Sequence, residues 1–331
     1  MDLFGTKMNS RKEKIDWIYT AKGIGIILVV FGHMQRGIYR SSIELGYDSY
    51  YLLDAFIYSF HMPLFFLLSG IFFESSLIKK GKANYLYEKV TTLLYPLAIW
   101  SIIQGSFQYF FQSHTNSTLE YSKVVNFLVS PQQQMWFLLG LFFVTCFFIF
   151  LNEIVFKYKA ITFILLILFN ISPVPTETPY WIGYIYNFAI YFYLGILFST
   201  YLKKKKSDIN ALYPSLFFVI FVGLFLYLYP YIDNRIVKLF LSLSGIYMIF
   251  LISNIKSIRN SRIISMLGVY SLYIYLLHIL FGTGLRVILA KFPFDGVSVL
   301  IACTLCGLIL PIFVARFCRN NILGLLFQPK R

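Results

Sequence analysis

Lys22-Gly23-Ile24-Gly25-Ile26-Ile27-Leu28-Val29-Val30-Phe31-Gly32-His33 is an apolar run with a cation at its start and an imidazole at its end. The stretch around it, 17–38, is long enough to cross a hydrocarbon core, which needs about 20 mostly apolar residues. Eleven residues at about 100° each return His33 to within about 20° of Lys22, about 16 Å further along one helix face. Lys22 thus stands at a membrane edge and His33 near the midplane. An ionisable side chain at that depth is costly, and so marks a functional site.

Composition extends this reading to the whole chain. Of its 331 residues, 58% are hydrophobic and only 13% charged, against roughly 25% charged in a soluble globular domain. The chain reads as a polytopic membrane protein. Its net charge of +15 would suit nucleic acid, but the basic residues fall in short clusters between apolar runs, a pattern that encodes membrane orientation. Nucleic-acid binding is set aside on that ground. Cys303 and Cys306 form a CxxC, but no second ligand pair accompanies it, so they read as small packing residues, and no metal is expected. The apolar stretch at 17–38 carries Lys22 and His33 and has no small-x-small cleavage site after it, so it reads as a retained helix and not a signal peptide.

Apolar runs place helices near 17–38, 50–73, 90–111, 136–152, 159–172, 181–201, 212–230, 235–254, 267–289 and 297–317, about ten spans. With both termini cytoplasmic, 21 Lys and Arg lie inside and seven outside: Arg36, Arg40, Lys123, Arg235, Lys238, Arg286 and Lys291. Fusing the two short spans around Lys157 would put Lys203 to Lys206 outside, against the positive-inside rule. The expectation is an all-α bundle of about ten spans forming a single transmembrane domain over 1–331, with a cytoplasmic segment at 1–16 and a cytoplasmic tail at 318–331. The longest external loop, 112–135, holds Asn116 and Gln132-Gln133-Gln134 and reads as a polar connection. Counted from these span ends, His33, His61 and His278 each lie about eleven residues deep, about 16 Å, so all three reach the middle of the core. A shared polar cavity is one outcome. The alternative is that each histidine bonds a carbonyl of a neighbouring helix and fastens the bundle.

The residues then reach a known family. Asp16 followed by Lys22-Gly23-Ile24-Gly25 through Phe31-Gly32-His33 resembles the opening helix of the integral-membrane acyltransferase family 3. Phe60-His61-Met62-Pro63-Leu64-Phe65-Phe66-Leu67-Leu68-Ser69-Gly70 resembles the second-helix segment of its fucose-O-acetyltransferase-like branch. Lys89 through Leu94-Tyr95-Pro96, Trp136-Phe137-Leu138, Phe192-Tyr193-Leu194-Gly195 and Ser271-Leu272-Tyr273-Ile274-Tyr275-Leu276-Leu277-His278 follow in order, so the resemblance covers about 16–280. The family usually has Arg where this chain has Lys22, and often where it has Lys89. Lysine keeps the charge and loses the bidentate fork.

The resemblance implies acyl transfer, usually of acetyl from acetyl-CoA, to a sugar hydroxyl of a cell-envelope polysaccharide or its lipid-linked precursor. His33 is the expected general base, since a neutral imidazole in a low-dielectric site can take the hydroxyl proton as it attacks the thioester; an acyl-His33 intermediate is left open. Lys22 and Asp16 complete the expected catalytic set. Lys80, Lys82 and Lys89 are expected at the CoA phosphates, Ser69 and Gly70 beside the pantetheine arm, and His61, Trp136, Tyr275 and His278 at the substrate. The expected location is the plasma (inner) membrane. Expected partners are acetyl-CoA, a carbohydrate acceptor and membrane lipids, with a homo-oligomer left open. The competing classes are an exporter or flippase for lipid-linked glycan and a non-catalytic scaffold. The first would favour paired broken helices, and the second gives Lys22 and His33 no purpose.

Overall fold

The computed structural model describes residues 16–45, 50–110, 133–199, 201, 209–318 and 321–329. These residues are nearly all helical: α1 Asp16–Tyr39, α2 Tyr50–Gly70, α3 Phe73–Lys80, α4 Lys82–Lys89, α5 Tyr95–Phe110, α6 Trp136–Phe150, α7 Asn152–Lys157, α8 Lys159–Ile171, α9 Tyr180–Leu197, α10 Leu212–Leu228, α11 Arg235–Ser253, α12 Lys256–Arg259, α13 Arg262–Val269, α14 Ser271–Leu289 and α15 Gly296–Cys318. Among the described residues the β structure is one isolated bridge between Ile209 and Ile255. Among the described residues, seven helical stretches are long and apolar enough to cross a membrane: Trp17–Tyr39, Tyr50–Lys80, Lys82–Phe110, Leu212–Tyr231, Arg235–Ser253, Ser271–Leu289 and Gly296–Cys318. The protein is a multi-pass helical membrane protein. The apolar α6 and α8, at 15 and 13 residues, are separate helices divided by α7 but short for a span. Lys203 to Lys206 and Asn116, on which the orientation and the outer loop were argued, lie outside the described residues.

Three expected boundaries move. The run 50–73 ends as α2 at Gly70, and 181–201 becomes α9, ending at Leu197. The run 267–289 is broken at Tyr270, so His278 sits seven residues into α14, about 10 Å from its start. Arg36 and Arg286, counted above as loop cations, belong to the last turns of α1 and α14.

Contacts gather into two compact units interleaved along the chain. The first comprises Met1–Gly25, Ala55–Leu86 and Phe143–Val269; the second comprises Ile26–Asp54, Tyr87–Phe142 and Tyr270–Arg331. In the first, α2 carries Pro63 at its centre. Proline has no N–H, which leaves the Ser59 carbonyl without its helical donor. The Ser242 hydroxyl of α11 donates to that carbonyl at 2.6 Å. Such repair from a neighbouring helix is what makes proline tolerable in a dry core. Gly70 of α2 and Gly195 of α9 stand against each other's backbones: a Cβ at Gly70 would overlap the Phe192 carbonyl, and one at Gly195 the Leu67 carbonyl. Small residues here let two backbones touch.

In the second unit α5 is preceded by a π-helical turn, Val90–Leu94, in which the Tyr95 N–H reaches back to the Val90 carbonyl. The cause is Pro96, which cannot donate to Thr92 and would crowd its carbonyl; widening the preceding turn relieves both problems. A 3₁₀ turn, Gln133–Met135, leads into α6. A C-terminal 3₁₀ segment, Ile322–Leu326, is followed by Phe327, whose ring lies 5.2 Å from Trp100 and 4.5 Å from Tyr273.

Candidate active site

The second unit brings together two of the three histidines expected at membrane depth. His33 of α1 and His278 of α14 lie with ring centroids 5.2 Å apart and planes tilted by 55°. Glycines make this approach possible. A Cβ at Gly307 of α15 would stand 3.0 Å from Val30 Cγ1 and 3.4 Å from His278 Cβ, and one at Gly282 of α14 would overlap the Met34 sulfur. The first helix and the last two long helices therefore close around the pair.

The two rings differ in setting. His33 is half-buried, whereas His278 is fully buried. His278 Nδ1 lies 2.9 Å from the Ile274 carbonyl oxygen one turn back. A carbonyl only accepts, so Nδ1 carries the hydrogen, and in the neutral ring the lone pair is on Nε2. That Nε2 is buried and has no protein partner. A neutral ring fixed at one nitrogen and bare at the other can accept a proton or hydrogen bond at the bare one.

A polar relay packs on the same turn of α14. Gln104 of α5 donates to the Leu276 carbonyl at 2.6 Å, and Gln134 donates to Gln104 Oε1 at 2.9 Å. The Tyr275 hydroxyl donates to the Gln134 carbonyl, and the Phe137 ring lies 5.7 Å from that of Tyr275. Further along α1, Arg36 makes a bidentate pair with Asp54 at 2.6 and 2.8 Å, Gln35 donates to the Tyr50 carbonyl at 3.2 Å, and Arg286 donates to the Gly37 carbonyl at 3.0 Å. Gly37 is in the last turn of α1, where carbonyls lack helical donors, so Arg286 serves as a cap supplied by α14.

The other expected residues are placed as follows. Tyr275 lies in this cluster, and Trp136 opens α6 with its ring 6.3 Å from Phe137. Lys89, half-buried, ends α4 in the same unit just before the π turn. His61 belongs to the first unit, where its Nδ1 contacts the Ile57 carbonyl at 2.7 Å and Tyr58 stands edge-on at 4.5 Å. Of the three histidines, His33 and His278 thus pair within the second unit and His61 belongs to the first. Lys22, also in the first unit, lies with its Nζ 6.0 Å from the Phe72 ring centroid. Ser69 donates to the Phe65 carbonyl within its own helix at 2.8 Å, and the space beside Gly70 is filled by the backbone of α9. Lys82 is paired with Glu153 at 2.9 Å on the surface and holds that carboxyl below its usual range. Lys80 ends α3, its carbonyl accepting from Asn84 at 3.1 Å. Asp16 opens α1, and its side chain lies outside the described residues. Among the described residues no group of three or more His, Cys, Asp or Glu could hold a metal ion.

Gln104, Gln134, Trp100 and Arg286 join the cluster's unit without having been candidates from the sequence. Three consecutive glutamines abutting an apolar run were the available signal for Gln134, since a loop exposed to water would not leave Gln134 only 2% exposed.

With this geometry in hand, a family model described as an acyltransferase domain matches residues 15–316. The chain belongs to the acyltransferase 3 family. Both histidines and the glutamine relay fall within the matched span. The nodulation protein NolL of Sinorhizobium fredii is 28% identical over 206 residues, covering 60% of this chain and 52% of that protein. NolL of Mesorhizobium japonicum is 35% identical over 94 residues, 28% of this chain and 23% of that protein. The match thus spans at most about half the length of these curated relatives. No solved structure matches the chain.

Proposed function

We propose that this acyltransferase-family protein moves an acetyl or similar short acyl group from cytoplasmic acetyl-CoA to a sugar hydroxyl of a cell-envelope polysaccharide or its lipid-linked precursor, in the inner membrane. The observation that carries the reading is the histidine pair, in which a buried imidazole presents a bare Nε2 beside a second imidazole 5.2 Å away. His33 takes the proton of the acceptor hydroxyl as its oxygen attacks the thioester carbon. The tetrahedral intermediate collapses, the C–S bond breaks, and the departing thiolate is protonated, so that the proton lost by the alcohol leaves on CoA. His278 orients and polarises the groups around that transfer. Lys89 and Lys22 are assigned to the CoA phosphates, with Lys80 and Lys82 weaker candidates because Lys82 would first have to leave Glu153.

The test is mass spectrometry of envelope glycans from cells with the gene, without it, and carrying His33→Ala. Wild-type cells should show glycans heavier by one acetyl per modified site. Cells lacking the gene or expressing the variant at matched level should not. Identical glycan masses in all three strains would sink the proposal.

A further inference from the structure

Resting on the reading that the acceptor is a sugar, we infer that Gln134, oriented by Gln104 and adjoining the turn of α14 that bears His278, is a hydroxyl-reading subsite for a neutral polyhydroxylated ring. The relay has a direction. The Leu276 carbonyl can only accept, so Gln104 must turn its amide nitrogen toward it, as the 2.6 Å contact requires. Gln104 Oε1 then faces Gln134, which must present its own amide nitrogen, at 2.9 Å. Flipping either amide would set oxygen against oxygen. The open end of the relay is therefore Gln134 Oε1, an acceptor, and it is buried without a partner.

The relay is docked next to His278. It ends on Leu276, two residues before that histidine; the Gln134 carbonyl accepts from Tyr275, whose ring centroid lies 6.4 Å from that of His278. His278 contributes a second bare acceptor, Nε2. One turn before Gln104 on α5, Trp100 has a buried indole N–H and Ser101 a buried hydroxyl, likewise without partners. A buried polar group left unsatisfied is destabilising, and two such groups lie on α5 within one turn of Gln104, in addition to Gln134 Oε1 and His278 Nε2; a ligand would satisfy them. None is a permanent charge, so the set suits neither CoA phosphates nor a carboxylate. Its pure acceptors repel a thioester oxygen. A sugar has the matching chemistry, because its hydroxyls can donate to Gln134 or His278 while hydroxyl and ring oxygens can accept from Trp100.

The test uses the full-length protein in lipid nanodiscs. Methyl glycosides of galactose, glucose, fucose and rhamnose are the probes, and binding is measured by saturation-transfer NMR. For the tightest glycoside, each monodeoxy analogue is then titrated against wild type and Gln134→Met. One deoxy position should weaken binding to wild type about tenfold and to Gln134→Met by less than about twofold, because the bond removed from the sugar is already missing from the protein. Gln104→Met, which frees the Gln134 amide to turn, should blunt the same discrimination and serves if Gln134→Met does not fold. Equal losses on wild type and variants at every position, or no binding by any glycoside, would overturn the subsite. Acetyl transfer to the glycosides is scored separately. A Gln134-dependent pattern without transfer keeps the subsite and removes the transferase reading; transfer without the pattern does the reverse.

Discussion

If His33 and His278 work as one unit, their removal must be non-additive, and the geometry allows an atom-specific test. An asparagine at 278 places an amide donor close to the position of Nδ1, so the bond to the Ile274 carbonyl, 2.9 Å in the native protein, is kept while Nε2 is deleted. It also avoids much of the cavity that alanine would leave at this fully buried position, a defect that by itself costs about 2–5 kcal/mol for large side chains. His278→Asn should therefore insert and fold, yet lower acyl transfer about 10²–10⁴-fold, the usual worth of a positioned acid or base. His33→Gln should cost about as much. Independent contributions would multiply to about 10⁴–10⁸ in the double variant, whereas two rings 5.2 Å apart serving one proton transfer should give a double variant no worse than about the poorer single one. The assay is the initial rate of radiolabelled acetyl transfer from acetyl-CoA in membranes at matched expression, with the unfolding temperature measured alongside. A multiplicative double variant, or a His278→Asn protein with near-native rate, would refute the shared role.

Three further outcomes are expected. Purified protein should bind acetyl-CoA more weakly as salt rises, with Lys22→Ala and Lys89→Ala reducing affinity more than Lys204→Ala and Lys89→Arg tolerated; equilibrium dialysis checks this, and a salt-independent affinity would remove the lysines from the phosphates. In a background lacking the four native cysteines, a cysteine at 204 should be shielded from an impermeant thiol reagent in intact cells and one at 116 should react, the reverse pattern inverting the bundle. Ser242→Ala should destabilise by about 1–3 kcal/mol, the cost of an orphaned buried carbonyl. Its effect should shrink in a Pro63→Ala background, where residue 63 regains the N–H that Ser59 lacks, and equal unfolding shifts in both backgrounds would disprove the repair.

What the sequence made legible was what lies along one helix. The run from Lys22 to His33 needed only the helical rise to be placed, and α1 is continuous through both. The separation of 136–152 from 159–172 followed from charge alone, and the structure divides them at α7. What could not be read was lateral. Depth put three histidines at one level, but depth carries no information about neighbours. His33 meets His278 because Gly307 and Gly282 let α15, α14 and α1 close, a reason written across more than 270 residues. Breaks in helices were also hidden: the turn at Tyr270 and the π turn at Val90–Leu94 interrupt runs that are apolar on average. Hydropathy reports where a chain is dry, and it is indifferent to where that chain bends.

The glutamines show why the least hydrophobic part of a membrane protein was the hardest to place. By composition Gln132-Gln133-Gln134 is a water-facing loop, and in a soluble protein the inference would stand. Here Gln134 is buried because its N–H group has Gln104 Oε1 and its carbonyl has the Tyr275 hydroxyl, so most of its desolvation is compensated before any ligand arrives. Compensation stops one atom short, at Oε1, just as at His278 it stops at Nε2. At Pro63, by contrast, the Ser242 hydroxyl of α11 closes the open Ser59 carbonyl. Both open valences are acceptors, and both sit on one cluster with α14. These two acceptors favour a molecule that brings hydroxyl hydrogens, which is the chemistry proposed for the acyl acceptor.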